Sequence, residues 1–369
     1  MNLLVSNDCK LCNLGVGYGD GSQREVAKQY GIGKSSVGRH RRHLGAGSVP
    51  PPGPSWEGYD LKQASVRGED GSWYRYVKSS DVDLLTYDDI EEIFTRPVVL
   101  PPKVASGHTQ VLNAADLQIG KAKQIGGGTP ETLARVRQSI EVFARKCEET
   151  RPEAIIVADV GDLIENMFNV PEQMATNDLG LTEQIRTARR VLAEALYRVA
   201  GLAPRVVMVS VPSNHGRVRT GYKANAGTVD DDYGLEINHA LEDIFTGREG
   251  YEHIEFARPV SGHTTAVVES SATRLAFNHG YHSKGIHKHG EWWAKMDHGR
   301  RTGWDADILV MSHYHTFGLS QSGDGRWIIA TTSPDPGSEW FSKMTGKSSK
   351  RGLTAFNVRD GQWFDVAIL

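Results

Sequence analysis

The sequence predicts an α/β sandwich behind a small helical module, and three observations carry that prediction. Short apolar runs recur from His108 onward, with longer helical patterns between some of them. Asp, Asn or His follows each of five such runs at its C-terminal end. A Gly-, Pro- and Ser-rich stretch sets the first 45 residues apart from the rest.

The runs Val111–Ala115, Ala154–Val160, Val206–Val211, Leu275–Asn278, Ile308–Met311 and Trp327–Ala330 read as strands buried in a sheet. Thr129-Pro130-Glu131 supplies a cap and a first-turn proline for a helix reaching about Glu149. Thr182 to Ala200 gives a second helix, and Tyr233 to Phe245 a third. Cys147, near the end of the first helix, reads as a small apolar residue. Four segments follow from this pass: a compact module at 1–45, a stiff linker at 46–58, a connector at 59–106 and a main domain at 107–369. Within the connector, Tyr59 to Ser79 reads as a β-hairpin, with Glu69-Asp70-Gly71 turning before Trp73–Val77. A short acidic helix is expected from Asp88 to Phe94.

Composition narrows the function classes. Hydrophobic residues at 39% and charged residues at 24% suit a globular chain rather than a disordered or fibrous one. No run approaches the roughly 18 apolar residues of a membrane span, so a cytoplasmic protein without a membrane partner is expected. Three cysteines make a poor disulfide framework, which agrees. The net charge of -3 hides an asymmetry: residues 1–45 carry seven Lys/Arg against three Asp/Glu, and the remainder is acidic. A basic head is what a local nucleic-acid contact needs, and a body rich in carboxylates suits cations.

The five segments at strand ends are Asp116-Leu117-Gln118, Gly161-Asp162, Asn214-His215, His279-Gly280 and His313-Tyr314-His315. Singly each is weak, because Asp, Asn and His are common turn residues. Together they match a chemical need. A phosphodiester is an anion, and two cations about 3.5–4 Å apart can hold it, activate water and steady the leaving oxygen. Oxygen and imidazole donors from several rigid elements are required, one carboxylate bridging the pair. The ordered motifs resemble those of the calcineurin-like metallophosphoesterase superfamily, D-x-H, G-D, G-N-H-[D/E], a lone His and G-H-x-H, over residues 108–340. That resemblance implies a four-layer α/β/β/α sandwich. It implies Asp116, Gln118, Asp162 and His315 around a first cation, and Asp162, Asn214, His279 and His313 around a second. His215 would bind no metal and would protonate or stabilise the leaving oxygen. The turn Pro336-Gly337-Ser338 is similar to a loop common after the last motif.

Three departures bear on the chemistry. Gln118 replaces a His, and its harder oxygen favours Mn²⁺ or Mg²⁺ over Zn²⁺. Ser213 replaces a Gly. Gly216 replaces an acid that could have oriented His215, so another residue must hold the ring. The bland alternative is a structural, degenerate phosphoesterase fold. His282, His287, His289 and His298, beside Trp292 and Trp293, read as solvated loop residues, with a phosphate contact open to His282.

In the N-terminal module, Ser22 to Tyr30 and Lys34 to Leu44 read as helices around Gly31-Ile32-Gly33. Ala27, Gly31 and Val37 resemble the helix-turn-helix signature, which would offer Ser35, Ser36, Arg39, Arg41 and Arg42 to DNA. Cys9 and Cys12 precede this unit, and His40 and His43 close it on one helix face, a donor set for one structural Zn²⁺. So small a module has little core, so a metal staple has a physical purpose. The alternative is an ordinary helix-turn-helix whose histidines face phosphates.

Three functions compete. The first is a DNA nuclease, similar to the double-strand-break repair exonucleases of the superfamily and to phage-encoded relatives with a zinc-stapled module; a phage-encoded chain would work in the host cytoplasm. The second is a phosphatase or phosphodiesterase on RNA, nucleotides or phosphoproteins. The third is a DNA-binding regulator with a vestigial catalytic body. A homo-oligomer is compatible with each.

Overall fold

The structure is a computed structural model that describes residues 63–67, 73–77, 106–121, 126–168, 177–221, 224–337 and 349–369. The helix-turn-helix with Ser35, Ser36, Arg39, Arg41 and Arg42, the zinc set Cys9, Cys12, His40 and His43, the linker and the acidic helix lie outside the described residues. The chain divides into two compact units, Met1–Ser80 and Asp81–Leu369.

In the first unit, β1 (Gln63–Arg67) pairs antiparallel with β2 (Trp73–Val77), Gln63 opposite Val77 and Arg67 opposite Trp73. The Gly68–Ser72 connection carries the expected turn residues, so the hairpin was legible in the sequence.

The second unit is built on two sheets. β3 (Thr109–Asn113), β4 (Ala154–Asp159), β5 (Val206–Ser210) and β8 (Ile254–Ala257) run parallel, and β14 (Thr354–Arg359) and β15 (Gln362–Ile368) continue antiparallel beyond β3. The other sheet has the order β12 (Gly318–Gln321), β13 (Trp327–Ala330), β11 (Ile308–Met311), β10 (Thr273–Asn278), β9 (Thr265–Ser270), with β13, β11 and β10 parallel. A two-stranded ribbon, β6 (Arg219–Gly221) with β7 (Ala224–Asn225), stands apart from both.

Strand periodicity assigns the faces. On β4, Ile156 and Ala158 join Phe277, Leu275, Ile308 and Val310 in a core between the two sheets. Ile155 and Val157 point the other way, against α1 (Thr129–Thr150), α2 (Leu181–Val199) and α3 (Tyr233–Phe245). α1 meets that sheet with Leu133, Val136, Ile140, Phe143 and Cys147, a stripe at helical spacing. A third core lies on the far face of the five-stranded sheet, where Trp293 of α4 (His289–His298) packs on Ala276, Leu309, Met311 and Ile328. Each fully buried side chain of this size contributes roughly 1.5–3 kcal/mol. No helix among the described residues is long and apolar enough to cross a membrane.

Two local expectations are corrected. Gly128, not Thr129, caps α1: Glu131 Oε2 accepts the Gly128 N–H at 2.7 Å, and Thr129 gives its own N–H to Asp178. The His-rich tract is not all loop, because His289–His298 is a helix anchored by Trp293. His289 within it is buried and shares a hydrogen bond with Ser283 Oγ at 2.7 Å, whereas His282, His287 and His298 are exposed. Cys147 is buried among apolar neighbours, as expected, and burial pushes its thiol pKa up.

Candidate active site

All five motifs sit where parallel strands end. Asp116 and Gln118 follow β3, Asp162 follows β4, and Asn214 and His215 follow β5. His279 directly follows β10, and His313 and His315 follow β11. The loops of the two sheets meet. His313 gives its backbone N–H to Asp116 Oδ2 at 3.0 Å, and His279 Nε2 lies 3.1 Å from Asp162 Oδ2. Asp116 and Gln118 are tied to the Asp162 loop by N–H donation to Gly161 O and Asp162 O, both at 2.9 Å.

The backbone is bent to reach this arrangement. Asp116, Gln118, Asp162, His313 and His315 all lie in the left-handed region, with φ between 41° and 74°. Such conformations cost of order 1–3 kcal/mol each and persist where the surroundings enforce them. Gly161 shows why its motif needs glycine. Its φ is 97°, and a Cβ there would stand 2.5 Å from Nδ1 of His279.

Asp162, His279 and His313 form a donor group whose ligand atoms lie within 4.8 Å of one another. His279 is oriented from behind: its Nδ1–H is donated to Val160 O at 2.8 Å, with Ser312 Oγ at 2.9 Å. That leaves Nε2 to face Asn214 Oδ1 at 2.9 Å and Asp162 Oδ2 at 3.1 Å. Two oxygens and a ring nitrogen converge there, and only a proton or a cation can hold them together. Burial disfavours charge on His279, but the Asp162 carboxylate outweighs it and lifts the pKa to about 9. Asp162 itself is held well below the usual carboxylate range; burial opposes this, and His279 and His215 overcome it. His313 is pushed down to about 3 by burial and by the charge on His279, so its ring offers a lone pair. The donor chemistry and the second hydrogen bond behind His279 fit a divalent cation.

His215 is arranged differently. Its N–H backbone is donated to Asp162 Oδ1 at 2.8 Å, which fixes the residue beside the carboxylate. Its ring Nδ1–H goes to the Glu165 carbonyl at 3.0 Å, and the Glu165 carboxylate lies 3.5 Å away. Nε2 stands 3.9 Å from Asp162 Oδ2. Burial lowers its proton affinity, yet Asp162 and Glu165 raise the pKa to about 9, so the ring carries a proton at neutral pH. Glu165 is the orienting group that the sequence reading missed; its signal was its place three residues after Asp162, in the same turn. Gly216 also gains a reason. A Cβ there would meet the Asp232 carboxylate at 2.4 Å, and that carboxylate accepts the Ser213 N–H at 2.9 Å. Asp232 therefore braces the loop from the space that a residue-216 side chain would need.

The other half of the site has another character. His315 Nε2 is 3.5 Å from Asp116 Oδ1, and its Nδ1 is 3.5 Å from Asp335 Oδ2. Lys121 Nζ donates to Gln118 Oε1 at 2.5 Å and also forms an ion pair with Asp335. Burial disfavours the charge on Asp335, but His315 and Lys121 hold its carboxyl far below the usual range. Lys121 and Asp335 were not singled out from the sequence.

No protein-family model matches the chain, and no curated protein matches it. Among solved structures, it is similar to wild-type Vps29 of Entamoeba histolytica complexed with zinc, at 12% identity and a TM-score of 0.31, over 69% of this chain and 88% of that one. A predicted phosphoesterase of Streptococcus pneumoniae shows 13% identity and a TM-score of 0.23, over 45% and 74%. The purple acid phosphatase PPD1 of yellow lupin seeds shows 12% identity and a TM-score of 0.34, over 82% and 58%. Likenesses of that degree carry no argument about function.

Proposed function

We propose that this chain is a metal-dependent phosphodiesterase that cuts DNA. One observation carries the reading: Asp162, His279 and His313 converge with Asn214 at the ends of strands from two sheets, with the His215 ring held beside them. A divalent cation on those donors, Mn²⁺ or Mg²⁺, would draw charge from the phosphodiester oxygens and acidify a water. Asp162 and Asn214 supply oxygen donors, and His279 and His313 supply imidazole nitrogens. Glu165 keeps the Nδ1–H of His215 occupied, so Nε2–H is the proton turned toward the site. Water loses a proton to solvent as its oxygen adds to phosphorus, the P–O bond to the leaving nucleotide breaks, and His215 would give its Nε2 proton to that oxygen.

The fold reading is finer than two sheets alone. Helices on the outer face of each sheet and a shared core between them support a four-layer α/β/β/α sandwich. DNA as substrate is supported by the basic first 45 residues, with their helix-turn-helix spacing and the Cys9, Cys12, His40, His43 set for Zn²⁺. Such a protein works in the cytoplasm, and DNA is its partner.

The test is purified protein with Mn²⁺ or Mg²⁺ on single- and double-stranded DNA, RNA, a phosphomonoester and a chromogenic phosphodiester. Metal-dependent cleavage of DNA in preference to the rest is expected. Preference for a phosphomonoester or RNA would replace the nuclease with a phosphatase or ribonuclease. No hydrolysis of any of them would leave a DNA-binding regulator.

A further inference from the structure

The motif resemblance places two cations in this site, but the structure supports that for only one of them. The first position would be made by Asp116, Gln118, Asp162 and His315. Gln118 Oε1, the neutral donor of that set, is engaged by Lys121 Nζ at 2.5 Å. His315 presents Nδ1 to Asp335, which is the ion-pair partner of Lys121. Asp162, His279 and His313 form a converging group of three His or Asp donors among the described residues, whereas Asp116 Oδ1 and His315 Nε2, 3.5 Å apart, make a pair that belongs to no such group.

We propose that the ammonium of Lys121 takes the place of the first cation, so that the site binds one divalent ion and uses Lys121 as its second positive charge. This rests on the metal-dependent reading above and sharpens its chemistry. Lys121 and Asp335 are both buried, with side chains 10% and 3% exposed. A lysine so placed needs anionic or oxygen partners, and Asp335 and Gln118 supply them. Asp116 is also fully buried, and its Oδ1 has no hydrogen-bond partner. His315 Nε2 stands 3.5 Å from that oxygen, and a cationic neighbour would stabilise its buried charge. The Gln at position 118 gains a reason too. An amide oxygen accepts the Lys121 N–H at every pH, whereas an imidazole there could itself be protonated and repel the ammonium. Lys121 lies three residues after Gln118 and is joined to it by a turn in which Lys121 N donates to Gln118 O at 3.0 Å. A phosphate held between the metal beside Asp162 and the Lys121 ammonium would meet two positive charges.

The test counts metal and does not depend on turnover. Zinc-replete full-length protein is titrated with Mn²⁺, the bound Mn²⁺ is counted by elemental analysis after dialysis, and its EPR spectrum is recorded. The wild type is expected to hold one Mn²⁺ with the spectrum of an isolated ion. Lys121→Ala, which frees Gln118 Oε1 and removes the ammonium paired with Asp335, is expected to hold two, with spin-coupled signals. Two Mn²⁺ in the wild type, or none, would overturn the proposal, as would a folded Lys121→Ala that still holds one. Should Lys121→Ala unfold, the wild-type count alone decides. Failure of the phosphodiesterase reading is a separate outcome, because one bound Mn²⁺ without hydrolysis would sink the activity and leave Lys121 in this role.

Discussion

The two halves of the site are built from the same kinds of residue and treat them in opposite ways. Around Asp162, the atoms behind the imidazole are satisfied: His279 Nδ1 is committed to Val160 O, so Nε2 projects forward beside Asn214 Oδ1 and Asp162 Oδ2. Around Asp116, one forward-facing donor is already engaged, because Lys121 reaches Gln118 Oε1 and pairs with Asp335, while His315 turns Nδ1 to Asp335 and leaves Nε2 3.5 Å from Asp116 Oδ1. Donor count alone does not distinguish the halves. What separates them is whether each donor's lone pair is turned toward a common point or already used by a neighbouring cation. A sequence motif names the donors and is silent on that second question.

The largest effect is expected in the first half. Asp162→Asn removes the carboxylate that faces both His279 and His215, and should take hydrolysis of a chromogenic phosphodiester to background with Mn²⁺ binding weakened. Normal turnover in that variant would mean the converging half is not the reaction centre. His215→Ala should keep Mn²⁺ bound and lower turnover on DNA by roughly 10²–10⁴-fold, the range for a lost proton donor. The loss should shrink for a nitrophenyl ester, whose leaving oxygen needs no proton; equal losses on both substrates would remove His215 from that role. In the second half the expected loss is of stability. Asp335→Asn leaves the buried Lys121 without its anion, a change that costs about 3–5 kcal/mol, to be read as a shift of the urea midpoint. Unaltered stability would show that the Lys121–Asp335 pair is not a closed structural unit.

The contrast also marks what was legible. The strands Ala154–Asp159, Ile308–Met311 and Trp327–Ala330 announce themselves because sheet interiors are covered on both faces and read as unbroken apolar runs. β14 and β15 escaped, since Thr354–Arg359 and Gln362–Ile368 mix polar residues into strands toward one edge of the sheet. α4 escaped for a related reason: its helix carries one fully buried aromatic, Trp293, rather than a long apolar stripe. At the site, the order of motifs located the strand-end residues and the Gly161 turn. Asp335 could not be found that way, because it reaches Lys121 across 214 positions of sequence. Glu165 was visible only as an acid near Asp162; its relation to His215 is made by the meeting of two loops. The vacancy at Gly216 read as a lost carboxylate, and the structure fills it with Asp232, from the cap of α3.

The smallest expected effect is also the most direct test of why the halves differ. Ser312 touches no substrate in this reading and contributes only its hydroxyl, which donates to Val160 O at 2.6 Å and lies 2.9 Å from His279 Nδ1. Together with Val160 O it fixes which ring nitrogen of His279 faces forward. Ser312→Ala leaves Val160 O in place but removes one of the two groups that hold the ring. Loss of such an outer partner commonly lowers metal affinity about 10–100-fold, so the Mn²⁺ dissociation constant should rise by that factor, with the folded state intact. The control lies across the site. Thr332→Val removes a buried hydroxyl that bonds Gly352 O at 2.7 Å and Thr354 Oγ1 at 2.9 Å, and bonds neither His279 nor Lys121. It should lower stability by about 1 kcal/mol and leave the Mn²⁺ constant where it was. If both variants weaken Mn²⁺ equally, general loosening of the fold explains the loss, and the orientation of His279 is not what makes its half of the site receptive.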